Sequence, residues 1–335
     1  MLNRVGQSKA VMAAALAASS LGAPAAAQQV SVNSQPFRVG IIDTPVDQII
    51  GPKDQVTVQV KSFLDAGQKP GRPPNPLHIS HGAIVASAFI QQAKKIDPER
   101  AIEIFSAQAF FQIPSKKTDW DDDNGPAPVG LNFDAATRSL DWFKQNGVRV
   151  VVTAFVGSDS PGMRSFLSHA NALGMLVFAG ANNDPMKGVL FPARDPESIA
   201  VTGNNLNLDF RFNRDMDKWV AFQADGSVPA NGYHHDEVEN GSSFAVGRAA
   251  AFGAYIIAHK PQASRSEIVE AMKASAEQGE HGVPDLSSWK VADRFRESVR
   301  VAFADPKPTP RAAADLQVGA NRSAAVAALQ TAASR

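Results

Sequence analysis

The chain contains no cysteine. Disulfide staples, thiolate metal sites and a cysteine nucleophile are therefore excluded. It also lacks net charge. Thirty-three basic residues balance 33 acidic ones, which removes any general electrostatic attraction to nucleic acid or to an anionic membrane surface. Long apolar runs are missing as well. The run from Ala10 to Ala23 is shorter than the roughly 20 residues that a bilayer-spanning helix needs, and no later segment is apolar enough to cross. What the chain does have is 335 residues, 44% of them apolar. That is enough to bury a sizeable core in one large domain or two ordinary ones.

The first residues have a tripartite pattern. Arg4 and Lys9 give a positive start, the Ala-rich apolar run follows, and Pro24-Ala25-Ala26-Ala27-Gln28 has the small-x-small form of a signal-peptidase site. Residues 1–27 are read as a signal peptide, with the mature chain beginning near Gln28 in the periplasm or outside the cell.

From Phe37 onward, strand-like and helix-like segments alternate. Phe37–Asp43, Ala101–Ala107, Val148–Phe155, Met175–Ala179 and Ser198–Thr202 read as buried strands. His81–Ile96, Phe133–Gln145, Pro161–Leu173, Ser243–His259 and Ser264–Ala276 have helical spacing or small-residue helical composition. Such alternation implies an α/β fold of three layers, a mostly parallel sheet flanked by helices. The domain is expected over residues 37–305, with a short segment at 28–36 before it and a Pro- and Ala-rich tail at 306–335.

Parallel α/β sheets place ligands at the carboxyl ends of their strands. Asp43 closes the first strand, where a carboxylate can orient a histidine. His81 opens a helix and is followed by Gly82, which lets another chain approach closely; a neutral imidazole there can act as a general base. Ser243, in Asn240-Gly241-Ser242-Ser243-Phe244-Ala245, starts a small-residue helix, where the dipole and unpaired N–H groups favour a nucleophile and a developing oxyanion. Asn182 ends the Met175–Ala179 strand region and could supply a side-chain amide to the same oxyanion. Taken singly, each residue has an ordinary explanation: a cap, a surface histidine, an N-cap serine, a turn asparagine.

Taken together, the residues resemble the subtilisin-like serine proteases (subtilases). VGIIDT is similar to that family's aspartate strand, HGAIVAS to its histidine helix, NGSSFAVGRAAA to its serine helix, and FAGANND with FPARDPESIAVTGNN to its oxyanion-asparagine region. The order Asp, His, Ser is the family's order. The resemblance spans roughly residues 37–277. It implies an endopeptidase with the triad Asp43, His81 and Ser243, an oxyanion donor at Asn182, and a protein or peptide substrate pairing along Ala154, Phe155, Val156 and Gly157. No metal or organic cofactor is required for that chemistry.

Several positions depart from the family pattern. Pro45 stands where Gly is usual after the aspartate. Ala83 and Ile84 replace Thr and His, and Gly247 and Arg248 replace Pro and His. Val156 replaces a usual Gly and is expected to narrow the primary pocket toward small side chains. Only about ten residues separate Gln28 from the aspartate strand, too few for a folded pro-domain. Folding then proceeds unaided, or a separate inhibitor or folding partner supplies that role, or activity is restrained. Asp121, Asp122 and Asp123 are a candidate for calcium, although their spacing is not that of an EF-hand; a solvated acidic loop is the plainer reading. His234 and His235 are read as surface residues. The alternative function is a catalytically weak or silent subtilase-fold protein that binds peptides or a partner. An α/β-hydrolase esterase is disfavoured, because no G-x-S-x-G elbow surrounds Ser243.

Overall fold

A computed structural model of the chain describes residues 35–71, 79–113, 129–184, 188–204, 218–229, 238–279 and 282–302. The proposed signal peptide, Asp121–Asp123, His234, His235 and the 306–335 tail lie outside the described residues.

The first strand, β1 (Phe37–Asp43), is the centre of the architecture. Its Ile- and Val-rich sequence suits a strand covered on both faces. One neighbour is β3 (Ile102–Gln108), which in turn pairs with the edge strand β2 (Val56–Ser62). On the other side lie β6 (Val150–Thr153), β7 (Leu176–Gly180), β8 (Ile199–Gly203) and β9 (Phe222–Ala224). Two short strands, β12 (Glu277–Gln278) and β13 (Pro284–Asp285), complete a nine-stranded sheet ordered β12-β13-β9-β8-β7-β6-β1-β3-β2. Every pairing in it is parallel except β12 with β13. Two small antiparallel ribbons stand apart, β4 (Phe110–Gln112) with β5 (Val129–Leu131), and β10 (Ser227–Pro229) with β11 (Val238–Asn240).

The period-two alternation of the strands feeds two cores. Val39, Ile41, Val150, Val152 and Phe178 point to one face, which packs on α1 (His81–Ile96), α4 (Ser242–His259) and α6 (Trp289–Ala302). Ile42, Phe105, Val151 and Val177 point to the other, which packs on α2 (Phe133–Gln145) and α3 (Pro161–Ala172). The expected three layers and the mostly parallel sheet are both present. A further helix, α5 (Arg265–Ser275), begins with a capping box between Ser264 and Glu267.

The chain leaves β1 toward β3 on one side and later returns to β6 on the other. The β1/β6 boundary is therefore a topological switch point, and a crevice opens there at the carboxyl ends of the strands. Among the elements not read from the sequence are β2 and α6. β2 is mostly exposed, although Val56, Val58 and Val60 alternate with polar residues. In α6 the buried Val291, Ala292, Phe295 and Val299 are interleaved with charged residues. The strand expected over Val148–Phe155 is confined to Val150–Thr153, because Ala154 to Gly157 leave the sheet at the crevice.

Candidate active site

Asp43 is the last residue of β1 and is 3% exposed. Its Oδ1 accepts the Thr44 N–H at 2.7 Å and the Thr44 hydroxyl at 3.1 Å. The Thr44 hydroxyl oxygen in turn accepts the Gly82 N–H at 2.9 Å. The loop behind it is tied down from two sides: the Val46 N–H donates to Ser106 Oγ, and Ser80 Oγ donates to the Pro45 carbonyl and to Asp47. Pro45 thus offers a carbonyl anchor where the family pattern has a glycine.

Ser80 is also the N-cap of α1, accepting the Ala83 N–H, and this sets His81 as the first helical residue. The His81 Nδ1 lies 3.0 Å and 2.9 Å from the two Asp43 carboxylate oxygens. The contact is possible because residue 82 is glycine: a Cβ there would stand 2.1 Å from the Thr44 carbonyl oxygen. Burial disfavours the charged imidazole, but the Asp43 charge and hydrogen bond, joined by the charge of Glu239, outweigh it. The His81 pKa is raised above the ordinary value of 6.5. Glu239 is a buried carboxylate on β11, four residues before Ser243.

Ser243 sits in the first turn of α4, whose N-cap is the extended Gly241. Its Oγ donates to the Ala154 carbonyl at 3.2 Å, so it reaches the segment just past β6. The next residue, Phe244, packs its ring against that of His81, with centroids 5.8 Å apart. As a first-turn residue, Ser243 has an N–H with no acceptor inside the helix. α1 and α4 meet at Gly247, where a Cβ would come within 2.7 Å of the Val85 carbonyl oxygen. The Arg248 guanidinium, buried beside it, donates to the Ser227 carbonyl and to Gln91 on α1.

Asn182, expected to donate to the oxyanion, turns its side-chain amide into its own loop. Asn182 Nδ2 donates to the carbonyls of Asp184 and Gly188, at 3.0 Å and 3.1 Å, within its own loop. The amide hydrogens of Asn182 are thereby engaged away from the serine helix, and its backbone is twisted to φ 144°. Asn183 is the residue that faces α4. Its Oδ1 accepts both the N–H and the hydroxyl of Ser242 at 2.8 Å, and its Nδ2 lies beside Gly241. The sequence does not separate two adjacent asparagines in a turn; in the fold the second is the one in contact with α4.

Of the four expected substrate-lining residues, Ala154 contributes its carbonyl to Ser243, and Gly157 donates its N–H to the Phe191 carbonyl. Phe155 and Val156 face a concavity of about 340 Å³ shared with Phe110, Leu131, Phe133 and Met163. Val156 is 43% exposed there. Among the described residues no group of three or more acidic, histidine or cysteine side chains is placed to hold a metal ion, and no helix is long and apolar enough to cross a membrane.

No family model and no curated protein matches the chain. Solved structures do. The prenylagaramide maturation protease PagA superimposes with a TM-score of 0.52 at 14% identity, over 78% of this chain and 94% of that one. A cold-adapted subtilisin-like serine proteinase superimposes with a TM-score of 0.49 at 15% identity, over 77% and 90%. The chain has a subtilisin-like fold.

Proposed function

We propose that this chain is a serine endopeptidase that works through an acyl-enzyme. The observation that carries the reading is the coupled pair of Asp43 and His81 beside the helix start that holds Ser243, at the switch point of a parallel sheet. In the proposed cycle the Ser243 Oγ attacks the scissile carbonyl carbon while His81 takes its proton. Asp43 fixes the imidazole and balances its positive charge. The imidazolium then protonates the leaving amine, the C–N bond breaks, and the acyl group stays on Ser243. A water, deprotonated by His81, releases it. The Ser243 N–H and the Asn183 side-chain amide are the proposed donors to the oxyanion, after a small rotation of the Asn183 amide away from Ser242. None of these steps calls for a metal.

The test is labelling of the folded chain with a fluorophosphonate, wild type against Ser243→Ala, followed by peptide mass mapping. The expected result is a single adduct on Ser243 that disappears in the variant. A folded protein that takes no label would overturn the hydrolase reading and leave a peptide-binding role. We propose also that residues 1–27 direct export to the periplasm or beyond. N-terminal sequencing of protein recovered from the periplasm or culture fluid should then begin near Gln28.

A further inference from the structure

A second concavity, of about 180 Å³, opens at the opposite edge of the sheet, where the strands begin. Its apolar lining includes Leu167 of α3, Met175, and Leu176 at the start of β7. Two arginines line it as well, Arg149 just before β6 and Arg265 at the start of α5. Arg149 donates Nε to the Gly174 carbonyl at 3.3 Å, Nη2 to the Ala263 carbonyl at 3.2 Å, and Nη1 to the Pro261 carbonyl. Arg265 donates Nε to the Glu197 carbonyl at 3.1 Å, and Nη2 to the carbonyls of Pro196 and Ser198 at 3.0 Å and 2.8 Å.

All of these acceptors are neutral main-chain oxygens. Among the described residues neither guanidinium has a carboxylate at ion-pair distance, and the Arg265 Nη1 hydrogens have no protein acceptor. Partial burial already pulls the Arg149 pKa below its usual value, as expected for a cation without a counter-charge. Both forks are held rigidly by backbone, so little ordering remains to be done when an anion arrives. The exposed Glu197 also lines the concavity. Two cations and one carboxylate leave a single positive charge. That balance suits a monoanion better than a phosphate dianion, and the apolar lining suits a ligand that is not purely ionic.

We infer that this concavity binds a small carboxylate carrying an aliphatic group, with the carboxylate on Arg149 and Arg265 and the aliphatic group against Leu167, Met175 and Leu176. The inference does not rest on the protease reading, since the strand starts are far from the triad's end of the sheet. Two sources supply such a group: the free C-terminus of a peptide ending in an aliphatic residue, and a short branched fatty acid.

The experiment is calorimetric titration of the folded chain with N-acetyl-leucine, isovalerate, N-acetyl-leucinamide and inorganic phosphate. Both carboxylates, or N-acetyl-leucine alone if the site reads a peptide end, should bind, and the amide should not. Arg265→Gln should weaken binding about tenfold, the scale of one lost charge-assisted hydrogen bond. Glu197→Gln, an exposed change that keeps the test valid if the arginine variant misfolds, should tighten binding severalfold. Binding of the amide or of phosphate as tightly as the acid would overturn the inference. So would affinities that neither substitution alters, because binding would then lie elsewhere, the triad included.

Discussion

His81 holds its proton more firmly than a free imidazole. Burial opposes this, and two carboxylates, Asp43 by charge and hydrogen bond and Glu239 by charge, override it. If the neutral imidazole is the working base, the acid limb of kcat/KM should fall above pH 6.5, and Glu239→Gln should move it downward. A pH–rate profile of the two proteins measures the difference, and identical limbs would remove Glu239 from the account. The linkage runs the same way in folding. A raised histidine pKa favours the native state fully below the unfolded value near 6.5, and that contribution fades as pH rises through the folded value. The two asparagines separate by a second measurement. Asn183→Ala should lower kcat by about a hundredfold or more with KM little changed, a magnitude known from subtilisin itself rather than from this chain. Asn182→Ala should instead destabilise the fold by about 1–3 kcal/mol, through two carbonyls left unpaired in its loop. At this scale the sequence made the places of Asp43, His81 and Ser243 at element ends legible, because each closes or opens an element whose pattern is strong. It hid Glu239 and the choice of asparagine, since both depend on where a loop turns rather than on residue type.

Helices α1 and α4 carry the proposed base and nucleophile, and two glycines set their seating, Gly82 against the chain after β1 and Gly247 against α1. Gly82→Ala would press a methyl carbon to 2.1 Å from the Thr44 carbonyl oxygen. The start of α1 must then retreat, and a shift near 1 Å at a catalytic group can cost about a hundredfold in rate. Circular dichroism should show a folded variant while peptide hydrolysis falls by that order. α6 acts differently. Phe295 is fully buried and packs edge-on against Phe252 of α4 at 4.8 Å, so Phe295→Ala should cost about 3–5 kcal/mol in a denaturant titration. The helices read correctly from sequence were those with helical apolar spacing or small-residue composition. α6 escaped because its apolar residues form a narrow stripe among charges.

Across the whole molecule, the candidate site exists only in the folded state, since residues 43, 81 and 243 stand on a strand and two helices that are far apart in the sequence. A reversible peptide aldehyde at about a hundred times its dissociation constant should add about 2.7 kcal/mol to the unfolding free energy and raise the melting temperature by roughly 5 °C. An unmoved melting curve would mean that the three side chains do not form one binding site. The three-layer arrangement was legible from the order of strands and helices alone. The switch point was not, because no local pattern tells a chain on which side of β1 the next strand will lie. Gly82 and Gly247 carry a further consequence. At both, the spacing is set by main chain against main chain, with no side chain between. A gap fixed in this way does not change when its flanks mutate. Ala83, Ile84 and Arg248 can therefore vary without moving the candidate site, and a shared architecture can persist at 14% identity. Two hydrogen atoms in place of two methyl groups leave the rest of the sequence free to diverge.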